Sequence, residues 1–134
     1  MFLEWEEKYS VKVRELDEQH KKLFSIINDM SEAVERGEGL LVSLQIIESM
    51  ASYAKTHFLT EEKYMQAYGF SDIAEQKDDH EYFIERIDGF KKGLENRKLG
   101  LPEDVMEFLK NWWVGHILHK DMKYSAFFNE KGLT

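Results

Sequence analysis

Two residues that can bind a metal ion, His57 and Glu61, lie four positions apart within a long segment of helical apolar spacing. Residues four apart on an α-helix point the same way, so this imidazole and this carboxylate would share one buried face. Burying both groups is costly unless a partner satisfies them, and a metal cation can do so. The pair therefore predicts a metal site or is a coincidence.

Further histidines and one carboxylate strengthen the metal interpretation. His20, His80 and His116 each fall within the apolar stripe of a different segment. A single such histidine is more often a hydrogen-bonded core residue than a ligand, but one in every predicted helix favours a metal site. Asp121 follows His116 by five residues, about 140° around an α-helix, so both could border one inward sector. Glu61 and Asp121 could then bridge two cations.

Other metal architectures have less support in the sequence. Ferritin-like di-iron sites need Glu three residues before a ligand His, and none of the five histidines has one. The His-Glu-x-x-His pattern of zinc proteases is also missing. The chain contains no cysteine, which excludes disulfides, thiolate zinc sites and thiol nucleophiles. The remaining His, Asp and Glu ligands suit iron, manganese or zinc.

Four amphipathic segments must position these residues. Apolar residues at three- and four-residue steps predict helices over residues 17–37, 41–68, 72–98 and 102–128, after an N-terminal arm of residues 1–16. Gly37, Gly39 and Gly69 mark helix ends, and the segment 98–102 contains the only proline. Long helices joined by short turns predict an all-α, antiparallel up-down four-helix bundle formed by a single domain, residues 1–134.

Composition limits the classes of partner. The chain has 134 residues, 33% of them charged, with a formal net charge of −8, which argues against binding to nucleic-acid phosphates. No apolar run approaches the ~18 residues of a membrane span, and no signal peptide opens the chain. We therefore expect a cytoplasmic protein that binds neither nucleic acid nor membranes.

Several short motifs, each weak alone, follow one another in a specific order over nearly the whole chain. They are Trp5 with Tyr9, Asp17-Glu18-Gln19-His20, His57-Phe58-x-x-Glu61-Glu62 with Met65, His80, and Trp112-x-x-x-His116-Ile117-x-x-x-Asp121 with Tyr124. In this order and spacing the chain resembles the hemerythrins, especially the single-domain bacterial members. The resemblance implies reversible O2 binding by two non-haem iron ions, for oxygen storage, delivery or sensing, without enzymatic activity.

The resemblance also implies a role for each matching residue. His20 and His57 would hold the iron that carries O2, and His80 and His116 would hold the other. Glu61 and Asp121 would bridge the two irons together with an oxo or hydroxo group. The family positions that match Phe58, Trp113 and Ile117 line the O2 pocket.

The sequence departs from the family pattern at two positions. Gln76 stands where the family usually has a fifth ligand histidine; it could bind the second iron, leave that place to water, or only hydrogen-bond nearby. An open position there would favour a redox protein that reacts with peroxide or nitric oxide, which is the alternative function. Trp113 stands where leucine is common, and it could narrow the pocket for O2 and for larger ligands such as azide, or simply pack in the core.

Three other polar residues admit structural interpretations. His119 lies about 300° around the helix from His116, which favours a surface or boundary position. Asp17 could cap the first helix or orient His20. Glu62 points about 100° away from Glu61, which favours solvent or a supporting contact. A bundle that no longer binds metal is the third possible function.

Overall fold

The computed structural model describes residues 2–38, 40–96 and 101–134. Its helices are α1 (Arg14–Glu35), α2 (Leu40–Tyr68), α3 (Ile73–Glu95), α4 (Leu101–His116) and α5 (Met122–Glu130). A π-helical segment, Ile117–Asp121, joins α4 directly to α5, and a 3-10 turn, Glu7–Tyr9, precedes α1. Consecutive long helices pack side by side, and α4 also packs against α1. This closed arrangement confirms the predicted four-helix bundle.

Several helix limits differ from those expected. α1 begins at Arg14 rather than at residue 17, so the arm ends earlier than residue 16. α3 ends at Glu95 rather than at residue 98, and residues 97–100 lie outside the described part of the chain, as does Gly39. The last helical stretch continues past residue 128 to Glu130.

Glycines end two of the helices by adopting a left-handed backbone. Gly37, with φ of +61°, follows α1, and Gly69, with φ of +75°, follows α2. In both turns the next amide reaches back five residues, from Glu38 to the carbonyl of Ala33 at 3.0 Å and from Phe70 to that of Met65 at 2.8 Å. This satisfies carbonyls that the helix end would leave free, and glycine adopts the conformation without steric cost.

The N-terminal arm is fixed to α1 by aromatic packing and by an amide clamp. Trp5 and Tyr9 pack on Phe24, with ring centroids 5.5 and 5.2 Å from it. The Asn28 side chain accepts a hydrogen bond from the Leu3 amide and donates one to the Leu3 carbonyl, each at 2.8 Å. The arm therefore closes one side of the bundle.

The core divides into two apolar clusters with a polar layer between them. The larger cluster includes Leu23, Phe58, Phe83 and Trp113. The smaller one contains Val11, Val13, Leu16, Met65, Phe70, Tyr124 and Phe128. His20 on α1 and Glu61 on α2 lie between the two clusters, and His57 borders the larger one; each of the three is 0% exposed. The fold thus collects buried ligand-type side chains at one level of the bundle.

Candidate metal centre

Every long helix contributes to the polar layer. The buried polar side chains at this level are His20 on α1, His57 and Glu61 on α2, Gln76 and His80 on α3, and His116 and Asp121 on the last helical stretch. None of them is more than 4% exposed. The structure therefore brings together all six residues that the sequence offered as principal ligands, with Gln76 beside them.

Two histidines and both carboxylates form the first group of ligand-type atoms. His20 Nε2 lies 3.2 Å from Asp121 Oδ2, and His57 Nε2 lies 3.2 Å from Glu61 Oε1. One ligand atom from each of these residues lies within 4.8 Å of all the others. Such a set of two nitrogens and two oxygens matches the donors of iron, manganese or zinc.

The second group shares a carboxylate with the first. His80 Nε2 lies 3.3 Å from Glu61 Oε1, and a ligand atom of His116 lies within 4.8 Å of both residues. Asp121 Oδ1 lies 3.1 Å from His116 Nε2, while its other oxygen faces His20. Both carboxylates therefore stand between the two histidine pairs, where each can face two cations at once.

The π-helical segment explains how Asp121 reaches this position. In a regular α-helix it would lie about 140° from His116, at the edge of the inward sector. A π turn closes through hydrogen bonds between residues five apart, so His116 and Asp121 come about one turn apart on the same face. The five-residue spacing of two polar residues in an apolar stripe was the available signal, and sequence reasoning did not recognise it as a π turn.

Supporting residues orient the imidazoles. The Nδ1 of His57 donates to Gln19 Oε1 at 2.6 Å, and the Nδ1 of His80 donates to Glu62 Oε2 at 2.7 Å. The Thr60 hydroxyl donates to the Thr56 carbonyl, so it accepts from the Gln19 Nε2 at 3.3 Å, which leaves the Gln19 oxygen as the acceptor for His57. A proton held on Nδ1 leaves the Nε2 lone pair facing inward, as metal ligation requires.

Asp79 gives His116 a further outer contact, with 3.5 Å between its Oδ2 and the ring Nδ1. Sequence reasoning quoted Gln19 only as part of a motif without a role, and it did not mention Asp79. Both lie on partly polar helix faces, and only the packing of the helices shows which imidazole each one meets. Glu62, 22% exposed, takes the supporting position that was one of its two interpretations.

The inward-facing atoms have no hydrogen-bond partners. Among the described residues this holds for the Nε2 atoms of all four histidines, and also for Glu61 Oε1 and Asp121 Oδ2. A buried polar atom without a partner costs about 1–3 kcal/mol, and more when charged. A cation would satisfy all of these lone pairs together, so the residues present fit a pair of metal ions.

The charges within the layer shift its pKa values. Burial alone would lower the pKa of His20, but close contacts with Asp121 and Glu61 raise it to about 9. Burial likewise opposes protonation of His116, yet the charge of Asp121 and contacts with Asp121 and Asp79 raise its pKa to about 10. The pKa of His57 is lowered, chiefly by burial. Without metal, protons on His20 and His116 therefore balance the two carboxylates.

Tyr124 forms a hydrogen bond with one of the two carboxylates of the layer, Glu61. Its buried hydroxyl donates a hydrogen bond to Glu61 Oε2. Burial, followed by the charges of Asp121 and Glu61, raises the pKa of this phenol well above 10. The phenol therefore remains a hydrogen-bond donor at neutral pH and holds Glu61 in place.

Gln76 touches the layer through only one end of its amide. Its Nε2 donates to Asp121 Oδ1 at 3.2 Å, whereas its Oε1 is buried and has no hydrogen-bond partner. His119, in contrast, is exposed and lies outside both groups of ligand-type side chains found in the described segments.

Two of the three predicted pocket residues, Phe58 and Trp113, lie against the layer, and the third, Ile117, is buried in the core. Phe58 is stacked on His80, with ring centroids 3.9 Å apart. The Trp113 ring lies 5.8 Å from that of His57 and 6.3 Å from that of His20. Trp113 and Ile117 are 0% exposed and Phe58 is 3% exposed. Phe58 and Trp113 therefore cover the layer with buried apolar surface.

The structure corrects the role expected of Asp17. This residue lies inside the first turn of α1, so it does not occupy the N-cap position. Its carboxylate accepts hydrogen bonds from the Val11 amide at 2.8 Å and from Ser10 Oγ at 2.6 Å. The Nδ1 of His20 has no hydrogen-bond partner, so the expectation that Asp17 orients His20 by a hydrogen bond is wrong. Asp17 anchors the arm instead.

Comparisons with known proteins agree with this geometry. The family model for the hemerythrin HHE cation binding domain matches residues 11–128. The chain is 27% identical to a bacteriohemerythrin of Clostridium acetobutylicum, over 90% of this chain and 96% of that protein. It is 31% identical to a myohemerythrin of Theromyzon tessulatum, over 92% and 91% of the two chains.

A solved wild-type hemerythrin has the same fold, with a TM-score of 0.86 at 24% identity, covering 94% of this chain and 97% of that one. No helix of the described segments is long and apolar enough to cross a membrane. The order of ligand-type residues, their convergence in the bundle and the match over residues 11–128 lead to one conclusion: this chain belongs to the hemerythrin family.

Proposed function

We propose that this chain binds O2 reversibly at a site that holds two iron ions. The observation that carries the proposal is the buried layer in which four histidines present unpartnered Nε2 atoms to two shared carboxylates. Family membership supports iron as the metal, because the donor set alone also suits manganese or zinc. Use of the bound O2 for storage, delivery or sensing is part of the same proposal.

We assign the ligands by their position in the layer. His20 and His57 would hold one iron and His80 and His116 would hold the other, while Glu61 and Asp121 would be shared by both. The irons, when bound, supply the electrons that O2 accepts on binding and recover them on release.

The surrounding side chains fix and protect this ligand set. Gln19 and Glu62 keep the protons of His57 and His80 on Nδ1, and Tyr124 holds Glu61 through its hydroxyl. Each contact limits the rotation of a ligand, which raises metal affinity. Phe58 and Trp113 cover the layer with apolar surface and exclude the water that would promote irreversible oxidation.

A second candidate function, reaction with peroxide or nitric oxide, is favoured by Gln76. A neutral carboxamide binds a metal more weakly than imidazole, so an exogenous ligand could displace it more easily. This reactivity, azide binding and a cytoplasmic location remain predictions.

Anaerobic loading with ferrous iron followed by titration with O2 tests the proposal. We expect a visible absorption band that appears with O2 and disappears under vacuum over repeated cycles. Rapid oxidation that vacuum does not reverse would favour the redox alternative. A chain that retains no iron after gel filtration would contradict both functions and leave a metal-free bundle.

A further inference from the structure

Gln76 is a buried polar residue on the same helix as His80. It lies on α3 four residues before His80, so the two side chains share one face of the helix. Gln76 is 2% exposed, and Asp121, which its amide group contacts, is 0% exposed. A carboxamide in this place is therefore part of the buried polar layer.

The hydrogen bond to Asp121 determines which end of the carboxamide is available. Gln76 Nε2 donates to Asp121 Oδ1 across 3.2 Å. Rotating the amide by half a turn would place two oxygen acceptors at that distance and lose the bond. The contact thus keeps Oε1 away from Asp121, and this oxygen has no hydrogen-bond partner in the described structure.

The unpartnered oxygen belongs to a side chain that reaches other unpartnered groups through Asp121. The Nε2 atoms of His80 and His116 are also buried without hydrogen-bond partners. Asp121 Oδ1, which accepts from Gln76, lies 3.1 Å from His116 Nε2. A cation held by His116 and Asp121 Oδ1 would therefore lie near the carboxamide of Gln76, whose oxygen is free.

We propose that Gln76 Oε1 is a ligand of the metal held by His80 and His116, and that it makes this position richer in oxygen and harder than the position at His20 and His57. The inference rests on the proposed two-metal site. Carboxamide and carboxylate oxygens favour Mn²⁺ relative to Zn²⁺, whereas imidazole favours the later metals. The His80 and His116 position therefore accepts Mn²⁺ more readily than it would with a third imidazole.

Competition titrations of the metal-free full chain with Mn²⁺, Zn²⁺ and Co²⁺ test this assignment. Gln76→His should tighten binding of the second Zn²⁺ by at least ~10-fold and leave Mn²⁺ affinity nearly unchanged, because only the added nitrogen discriminates between them. Gln76→Leu should weaken the second ion of either metal by ~10-fold or more. Gln66→His is the matched control, since Gln66 is exposed on α2 and its replacement should change neither affinity.

The visible spectrum of the Co²⁺ protein separates a ligand from a residue that acts only through Asp121. Loss of an oxygen ligand in Gln76→Leu should change the Co²⁺ absorption at two equivalents, whereas loss of the hydrogen bond alone should not. An unchanged spectrum, or an unchanged affinity for the second ion, would overturn the assignment. Circular dichroism of the metal-free variants checks that they fold. If Gln76→Leu does not fold, the affinities of Gln76→His for Zn²⁺ and Mn²⁺ decide whether the assignment of Gln76 as a ligand holds.

The wild-type chain provides the test of the underlying site. If it binds fewer than two ions, the two-metal site itself fails, and this inference fails with it. If it binds two ions with the same affinities and spectra in all variants, only the role of Gln76 fails.

Discussion

Replacing Tyr124 with Phe removes one hydroxyl from the centre of the bundle and leaves the ring in place. That hydroxyl donates to Glu61 Oε2, and both residues are 0% exposed. A hydrogen bond to a charged group contributes about 1.5–3 kcal/mol, and its loss leaves a buried carboxylate oxygen without its donor. We expect Tyr124→Phe to lower the free energy of unfolding of the metal-free protein by about 2 kcal/mol. For a chain of 134 residues this corresponds to a Tm lower by about 7 °C.

Tyr64→Phe is the matched control because it also removes a hydroxyl that donates to a carboxylate. Its partner is Glu15, and this pair lies at the surface. Solvent replaces such a contact, so we expect a loss below about 1 kcal/mol. Urea unfolding of the metal-free proteins, followed by circular dichroism, measures both changes. Equal losses for the two variants would refute the argument that burial determines the strength of the Tyr124 contact.

The effect of Tyr124→Phe should be constant between pH 7 and pH 8, because the pKa of His57 is lowered from 6.5 and the pKa of His20 is about 9, so neither histidine beside Glu61 changes its charge in this range. The pKa of Tyr124 is raised well above 10 by burial and by the two carboxylates, so the donor keeps its proton. Burial would raise the pKa of Glu61, but His57 and contacts with neighbouring histidines lower it well below 4.5. A lowered pKa means that the stabilisation is present above the unfolded value of about 4.3 and is lost only as the pH falls further. A Tyr124→Phe effect that varies across this range would contradict these assignments.

Three further outcomes follow from the structure. Trp113→Leu should speed azide binding without changing its final affinity, because Trp113 packs beside His57 and His20. Stopped-flow mixing at equal iron content measures the binding rates, and identical rates would show that the indole does not narrow the path to the site. Zn²⁺ binding at pH 7 should release about two protons. Metal-free His20 and His116 have pKa values of about 9 and about 10, and both must lose a proton to bind a metal. Calorimetry in buffers of different ionisation enthalpy measures the proton release, and a release of no protons would contradict the prediction. Asp17→Ala should cost about 1–2 kcal/mol of stability by freeing the amide of Val11. Asp29→Ala, at an exposed position on the same helix, should be close to neutral in urea unfolding.

Regular periodicity made the bundle predictable from sequence. The apolar stripes of α1 to α4 place His20, His57, His80 and His116 on buried faces, and those faces can meet only inside the bundle. The start of α1 was less predictable. Asp17 looks like an N-cap, yet its carboxylate reaches back to the arm from within the first turn, and that depends on how the arm folds.

The supporting contacts of the site could not be predicted from the sequence, because they form between helices. A helical projection places Gln19 and Asp79 beside exposed residues, so their contacts with His57 and His116 become visible only when the helices pack. The position of Asp121 likewise depends on the π turn, whose sequence signal is a spacing and not a residue type. The sequence also could not show that Oε1 of Gln76 has no hydrogen-bond partner, because this depends on the hydrogen bond from its Nε2 to Asp121.

The central claim is a site for two iron ions that binds O2 reversibly, and anaerobic iron quantification combined with O2 titration tests it most directly. We expect two irons per chain and a visible band that forms with O2 and is lost under vacuum. One iron or none per chain, or oxidation that vacuum cannot reverse, would contradict it.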